Sequence, residues 1–326
     1  MSFDVKILAD SVSSYGHRLT TFSVVYPRII HAEFLRHRVL SRCAVSSRAI
    51  PFLEQVRDNP YIPEKWGRNQ KGMQAGEDID GAFPGALWRE ARDNAYTIAK
   101  RLSHFGVHKQ WVNRLLEPFQ WMAEVITATE WDNLFHLRIS PDAHPDIQKI
   151  VGMMREVRED SKPRALDKTD WHLPLLSDED LYAFSDSDPA ALPWKERLLA
   201  SVGRVARVTL LRHEDESDVA KDIERANNML KNGHMSPFEH VARPMTSVEY
   251  EDAFGAWWAT FDKGPEMPMH EPSFGYNSGN PTPLANHISK KGLLRLRWRA
   301  FCGNLNGWVS MRKEIPYEDD IKGDHG

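Results

Sequence analysis

Cysteine is almost missing from this chain: among 326 residues only Cys43 and Cys302 carry thiols. Two thiols cannot frame a disulfide-stapled domain or a thiolate zinc site, so a reducing compartment is expected. No run of eighteen apolar residues occurs, which excludes a hydrophobic spanning helix. The first ten residues, MSFDVKILAD, lack the apolar core of a secretory leader, and the expected location is the cytoplasm. Positive charge is not in excess either. Lys and Arg total 42 against 46 Asp and Glu, a net charge of −4, so the chain as a whole is not drawn to nucleic acid or to anionic membranes. Hydrolase and nucleotide-loop signatures are wanting: no G-x-S-x-G elbow, no Walker loop and no HExxH pair occurs, and no metal site is expected.

What remains is an ordinary folded composition. Hydrophobic residues make up 41%, and eleven tryptophans argue for a packed core. Residues 4–9 and 20–30 are rich in β-branched and aromatic residues and predict strands. HAEFLRHRVLS, 31–41, predicts a helix, ending before Ile50-Pro51. Residues 57–83 are a polar excursion marked by Gly and Pro. A helix over 84–105 is predicted, with Leu87, Ala91, Ala95, Ile98, Ala99, Leu102 and Phe105 as its apolar stripe and Gly106 as its cap. VHKQWVNRLLEPF continues as a second helix, and EVITA, 124–128, is extended. Thr129 is placed to cap a helix carrying EWDNLFHLR, and Ile147, Ile150, Val151, Met154 and Val157 stripe another helix after Pro145. Residues 159–195 are acidic and Pro-rich, a linker. Residues 204–211 predict a strand. Residues 217–232 predict a helix with Val219, Ile223, Ala226 and Leu230 on one face, closed by Gly233. Residues 273–290 form a loop, and 291–313 a basic, aromatic last element.

Four constellations bear chemistry. RHRVLSRCAVSSR, 36–48, holds four arginines and three serines. Guanidinium groups and hydroxyls suit a phosphorylated ligand, whereas a solvated basic helix end over Leu35 and Leu40 is the plain alternative. Read as a helix, the segment puts Arg38 and Arg42 on one face. Cys43 lies among arginines that would lower a thiol pKa. GHMSPFEH, 233–240, fixes His234, Glu239 and His240 near a turn, either as a capped turn with half-buried histidines or as a ligand contact. TATEWDNLFHLR carries Asn133 and Arg138 on a helix, and NRLLEP carries Arg114 three residues before Glu117, a spacing that also suits a simple ion pair.

Together these segments resemble the flavin-dependent thymidylate synthases. The signature Arg-His-Arg, seven residues, then Ser stands here as Arg36-His37-Arg38 and Ser46. GVHKQWVNRLLEP is similar to the family's nucleotide-contacting helix, TATEWDNLFHLR to the one bearing its catalytic arginine, and GHMSPFEHVA to its flavin-side motif. The order differs: the Gly-His element follows the Arg-His-Arg element instead of preceding it, as in a circularly permuted, bacteriophage-type variant. The usual Asn-Glu of the motif is Cys43-Ala44, and the usual glutamine three before the first arginine is Glu33.

The resemblance implies an α/β (α+β) fold, a twisted sheet packed with helices. Residues 1–158 and 201–326 would be halves of one domain joined by a 159–200 linker, and the assembly a homotetramer with shared sites. It implies reductive methylation of dUMP to dTMP, with FAD as cofactor and NADPH and methylenetetrahydrofolate as co-substrates, no enzymic thiol being needed. Arg138 would be catalytic; Arg114, Ser46, Ser47, Arg48, Arg36 and Glu33 would bind the nucleotide; Arg36, His37, Arg38, Ser236, Asn133, His234 and Glu239 would face FAD. Three other readings stay open at this point: the same fold modifying another pyrimidine nucleotide, such as dCMP, by methylation or hydroxymethylation; a catalytically inactive flavin or nucleotide binder, motivated by Ala44; and a nucleic-acid-binding protein, which the −4 charge opposes.

Overall fold

A computed structural model describes residues 1–46, 52–72, 74–176, 194–208, 218–250 and 304–315. Strands β1 (Asp4–Ser13), β2 (Arg18–Pro27), β3 (Ser41–Ala44), β4 (Trp121–Ala128) and β5 (Arg164–Leu166) form one five-stranded sheet in the order β3-β4-β2-β1-β5. β1 pairs antiparallel with β2, β2 with β4 and β3 with β4, while β5 runs parallel to β1. The fold is mixed α/β.

Alternation along the strands gives the sheet two faces. Phe22, Val24, Tyr26, Met122, Ile126 and Ala128 share one core with helices α5 (Asp132–Arg138) and α6 (Pro145–Asp160). Ile147, Ile150, Val151 and Met154 of α6 are buried there, the spacing the sequence shows. His144 caps α6, its ring accepting from the Asp146 N–H, and Pro145 occupies the first turn, where its missing donor is harmless. Burying each of these aliphatic side chains contributes about 1.5–3 kcal/mol. The opposite face receives Cys43, Val125 and Val205. A register shift between Ile7 and Ala9 in β1 turns Ser11 to this second face.

Helices α2 (Phe52–Asp58), α3 (Ala82–His104) and α4 (Lys109–Val112), with the 3-10 segment Asn113–Phe119, pack a satellite core of Val56, Ala99, Val112, Leu116 and Phe119. α3 ends as expected, with Gly106 at φ +78. Its stripe is only partly buried: Ala99 is enclosed, but Leu87, Ile98 and Phe105 are exposed and Trp88 and Tyr96 pack instead. The expected second helix shortens to four residues and tightens into the 3-10 segment. Helices α7 (Trp194–Val208) and α8 (Val219–Lys231) cross closely at Gly203, where a Cβ would lie 2.0 Å from the Asp222 carbonyl oxygen. Asp218 caps α8 and Gly233 follows it at φ +70. Ala226 is buried, whereas Leu230 of the expected face is exposed. β6 (Ala242–Pro244) and β7 (Trp308–Ser310) pair antiparallel, and α9 (Met311–Glu314) follows.

Three further expectations are corrected. α1 covers only His31–Leu35, because Ser41–Ala44 pairs with β4, so Arg38 and Arg42 share no helix face. Residues 204–208 belong to α7, whose buried Leu198, Val202 and Val205 recur at helical spacing; 209–211 lie outside the described residues. Thr129 does not cap α5: its hydroxyl instead accepts from the Asn306 N–H. The 159–195 stretch contains β5 and the buried His172. The loop 273–290 and residues 291–303 lie outside the described residues.

Candidate functional site

Arg36-His37-Arg38 follows α1 as a turn, with the His37 N–H donating to the Phe34 carbonyl and the Leu40 N–H to that of His37. Arg36 and Arg38 are exposed while His37 is buried between them. Arg138, the last residue of α5, reaches back to this turn. Its Nε donates to His37 Nε2 at 2.9 Å, and its Nη1 to Glu33 Oε2 at 2.9 Å. A guanidinium has no acceptor, so His37 accepts at Nε2 and carries its proton on Nδ1. Burial, then the positive charges of Arg138 and Arg42, hold the His37 pKa down at about 4. His37 is therefore neutral near pH 7. Glu33, His37 and Arg138, named from sequence for different duties, form one cluster.

The Gly-His turn meets β3 from the other face of the sheet. Pro237 and Phe238 are buried, and Ser236 Oγ donates to Cys43 Sγ at 3.8 Å. Glu239 is paired with Arg312, and His234 is exposed, its backbone N–H returning to the Met229 carbonyl. Cys43 thus packs with Val125 and Val205, on the face opposite its neighbour Arg42. His240 is fully buried and bonds Thr127 through Nδ1 at 2.8 Å.

Other candidates lie apart. Arg114 is exposed and pairs with Glu117 at 3.6 Å, the i,i+3 contact its spacing allows. Asn133 and Ser46 are exposed, and Ser47 and Arg48 lie outside the described residues. Among the described residues no cluster of three His, Cys, Asp or Glu is arranged for a metal.

Sequence reasoning passed over Glu124. It is the one carboxylate in the wholly buried strand β4, only 1% exposed. Tyr26 donates its hydroxyl proton to Glu124 Oε2, and the Tyr26 oxygen lies 2.8 Å from His31 Nδ1. Burial raises the Glu124 pKa to about 7, against the lowering effects of the Tyr26 hydrogen bond and Arg42. Burial, then Arg28 and Arg42, lowers the His31 pKa to about 4. The available signal was a lone acidic residue inside WMAEVITA.

Residues 10–164 match the family described as thymidylate synthase complementing protein. The span runs from β1 to the first residue of β5 and holds Glu33, Arg36, His37, Arg38, Arg114, Asn133 and Arg138; the Gly-His turn lies beyond it. Among solved structures, a UMP/dUMP methylase, PolB, from Streptomyces cacaoi bound with 5-Br UMP is similar over 48% of this chain and 89% of that one, at 16% identity and a TM-score of 0.41. A comparison with curated proteins gives no match.

Proposed function

We propose that the chain, whose residues 10–164 match the thymidylate synthase complementing family, is a flavin-dependent thymidylate synthase that reductively methylates dUMP to dTMP. Methylenetetrahydrofolate supplies the one-carbon unit and NADPH the hydride equivalent; the products are dTMP, tetrahydrofolate and NADP⁺, with one proton consumed. The observation that carries this reading is the Glu33–His37–Arg138 cluster, which brings the Arg-His-Arg turn and the end of α5 into direct hydrogen-bond contact.

Arg138 holds a permanent positive charge at 15% side-chain exposure. Neutral His37 and the Glu33 carboxyl group fix its guanidinium plane, which leaves Nη2 and the second Nη1 hydrogen for a substrate carbonyl. Such a preorganised charge stabilises negative charge developing on the pyrimidine ring and favours loss of its N3 proton. The donor set fits a flavin dinucleotide: Arg36 and Arg38 offer exposed guanidinium groups beside the cluster, suited to a pyrophosphate. Within one chain the Gly-His turn lies across the sheet from that site, so Ser236, with His234 and Glu239 as weaker contacts, would complete it from a neighbouring subunit, and Asn133 would add a weaker contact. When bound, FAD supplies the hydride-transfer chemistry; the protein supplies orientation and charge. Arg114, Ser46, Ser47 and Arg48 would hold the nucleotide.

We further read the chain as permuted, because the Gly-His turn reaches β3 from the C-terminal part of the same chain. The exposed apolar stripe of α3, Phe83, Leu87, Ile98 and Phe105, with Trp111 and Leu115 beyond it, suits burial in a homotetramer. A second reading, methylation or hydroxymethylation of dCMP on the same scaffold, is favoured by Glu33, whose carboxylate would accept from an exocyclic amine. The test is Arg138→Ala. It is expected to keep bound flavin and its absorbance while turnover falls by about two to three orders of magnitude. Undiminished turnover would refute the role.

A further inference from the structure

Glu124 is the centre of a second charged cluster, on the same sheet face as Arg138. Arg28 enters it from the turn after β2, His31 from α1, Arg42 from β3 and Tyr26 from β2. Both arginines act electrostatically on His31 and on Tyr26, which places the two guanidinium groups around the same pair of rings. Four of the cluster's charged atoms are buried with no hydrogen-bond partner among the described residues: the donors Arg28 Nη1 and Arg42 Nη1, and the acceptors Glu117 Oε1 and Glu124 Oε1. A buried guanidinium donor without an acceptor is costly, and a bound anion would supply an acceptor to each. The cross-strand partners of Glu124 are Val24 on β2 and Ala44 on β3, neither of which offers its carboxyl a polar side-chain group.

Charge decides what acceptor fits. Arg28 also meets Glu117 at 3.1 Å, and Glu117 meets Arg114 at 3.6 Å. Three guanidinium groups therefore face two carboxylates, Glu117 and Glu124, an excess of one positive charge. When Glu124 takes up a proton the excess becomes two, and its Oε1–H becomes a third donor beside the two arginine donors. His31 is partly exposed, with 21% of its side chain accessible, so the cluster opens to solvent there while Glu124 closes it beneath.

We propose that Arg28, His31 and Arg42, seated over Glu124, form a subsite for a tetrahedral dianion such as a phosphate monoester. None of these four residues belongs to the contacts expected from the Arg-His-Arg motif. The anion site stands on this geometry alone; its assignment to the phosphate of a pyrimidine nucleotide rests on the proposed function. Binding is coupled to a proton. Glu124 ionises above about pH 7, and the ionised carboxylate repels the anion. Tyr26 and His31 stay neutral, and the other charged side chains nearby are Arg28, Arg42, Arg114, Arg138, Glu33 and Glu117, so above about pH 7 one proton is taken up per anion.

Sulfate tests this, because its charge does not change between pH 6 and 9. Sulfate affinity of the full chain, measured by calorimetry, is expected to fall about tenfold per pH unit above pH 7. In Glu124→Gln, which keeps a hydrogen-bonding side chain without a titrating charge, affinity is expected to be independent of pH. In Arg28→Gln/Arg42→Gln affinity drops about tenfold or more, with circular dichroism confirming the fold. Sulfate binding of equal strength in that folded double variant overturns the site, as does a pH slope retained in Glu124→Gln; loss of fold moves the same test to the single variant Arg42→Lys, which keeps charge but loses the paired donors, and an unchanged affinity there likewise overturns it. Displacement of sulfate by dUMP but not by deoxyuridine assigns the site to a nucleotide phosphate, and displacement by inorganic phosphate alone assigns it to the free ion. Failure of sulfate to bind leaves the methylation reading standing, and absence of methylation with sulfate bound leaves the anion site standing.

Discussion

Lowering the pH from 6.5 to 4.5 is expected to destabilise this protein through two histidines far from the arginine clusters. Ser11 Oγ lies 2.8 Å from His172 Nδ1, His172 Nε2 lies 2.7 Å from Thr21 Oγ1, and Thr21 lies 2.7 Å from Thr127 Oγ1, which reaches His240 Nδ1 at 2.8 Å. This chain crosses the buried sheet face and ties His172 and the Gly-His turn to β1, β2 and β4. Both imidazoles are fully buried, and burial lowers each pKa to about 3, with His172 adding to the effect at His240. Their unfolded value is about 6.5. Between these values the unfolded state binds more protons than the folded state, so stability is complete above pH 6.5 and is lost as the pH falls. From pH 6.5 to 4.5 each histidine removes about 2 kcal/mol, and the pair about 4–5 kcal/mol. Glu124 acts in the opposite sense. Its raised pKa makes the folded state the better proton binder between about 4.5 and 7, so acidification returns about 2 kcal/mol. His31 and His37, lowered to about 4, add to the loss. Urea unfolding followed by tryptophan fluorescence at several pH values measures the net slope. His172→Gln/His240→Gln, in which neither side chain titrates, is expected to be less stable at pH 7 but to lose about 4–5 kcal/mol less over the same interval. An identical pH slope in wild type and double variant refutes the buried neutral histidines.

Two further outcomes follow from the packing. Leu87→Glu/Ile98→Glu on the exposed stripe of α3 is expected to lower the solution mass by light scattering while leaving circular dichroism unchanged, since both side chains are about half exposed at 50% and 51%; an unchanged mass removes this helix from the subunit contact. Gly203→Ala is expected to cost about 2 kcal/mol or more, because the added Cβ meets the backbone of α8 rather than a movable side chain; a variant as stable as wild type contradicts the close crossing of α7 and α8.

Local signals were legible where one period and one face decide the outcome. The α6 stripe, the glycine after α3 and the β1 and β2 strands could be read directly from the sequence. Prediction failed where a partner overrode the local pattern. Ser41–Ala44 carries no strand signal of its own, yet β4 offers it an edge, and α1 stops short to let it pair. Residues 204–208 look extended because valines are interspersed with arginines, but Val202 and Leu198, one and two turns before Val205, continue the same buried face. At the site, residue types were legible and partners were not. Glu33 and His37 were nominated for a nucleotide and a flavin, and only the fold shows both holding Arg138. Glu124 was hidden because a single acidic residue in a strand gives no periodic signal.

Methylation of dUMP is decided by the product formed when the purified protein is given FAD, NADPH, methylenetetrahydrofolate and either dUMP or dCMP. Mass spectrometry is predicted to show dTMP from dUMP, formed only when all components are present. Oxidation of NADPH with neither pyrimidine modified would contradict the claim.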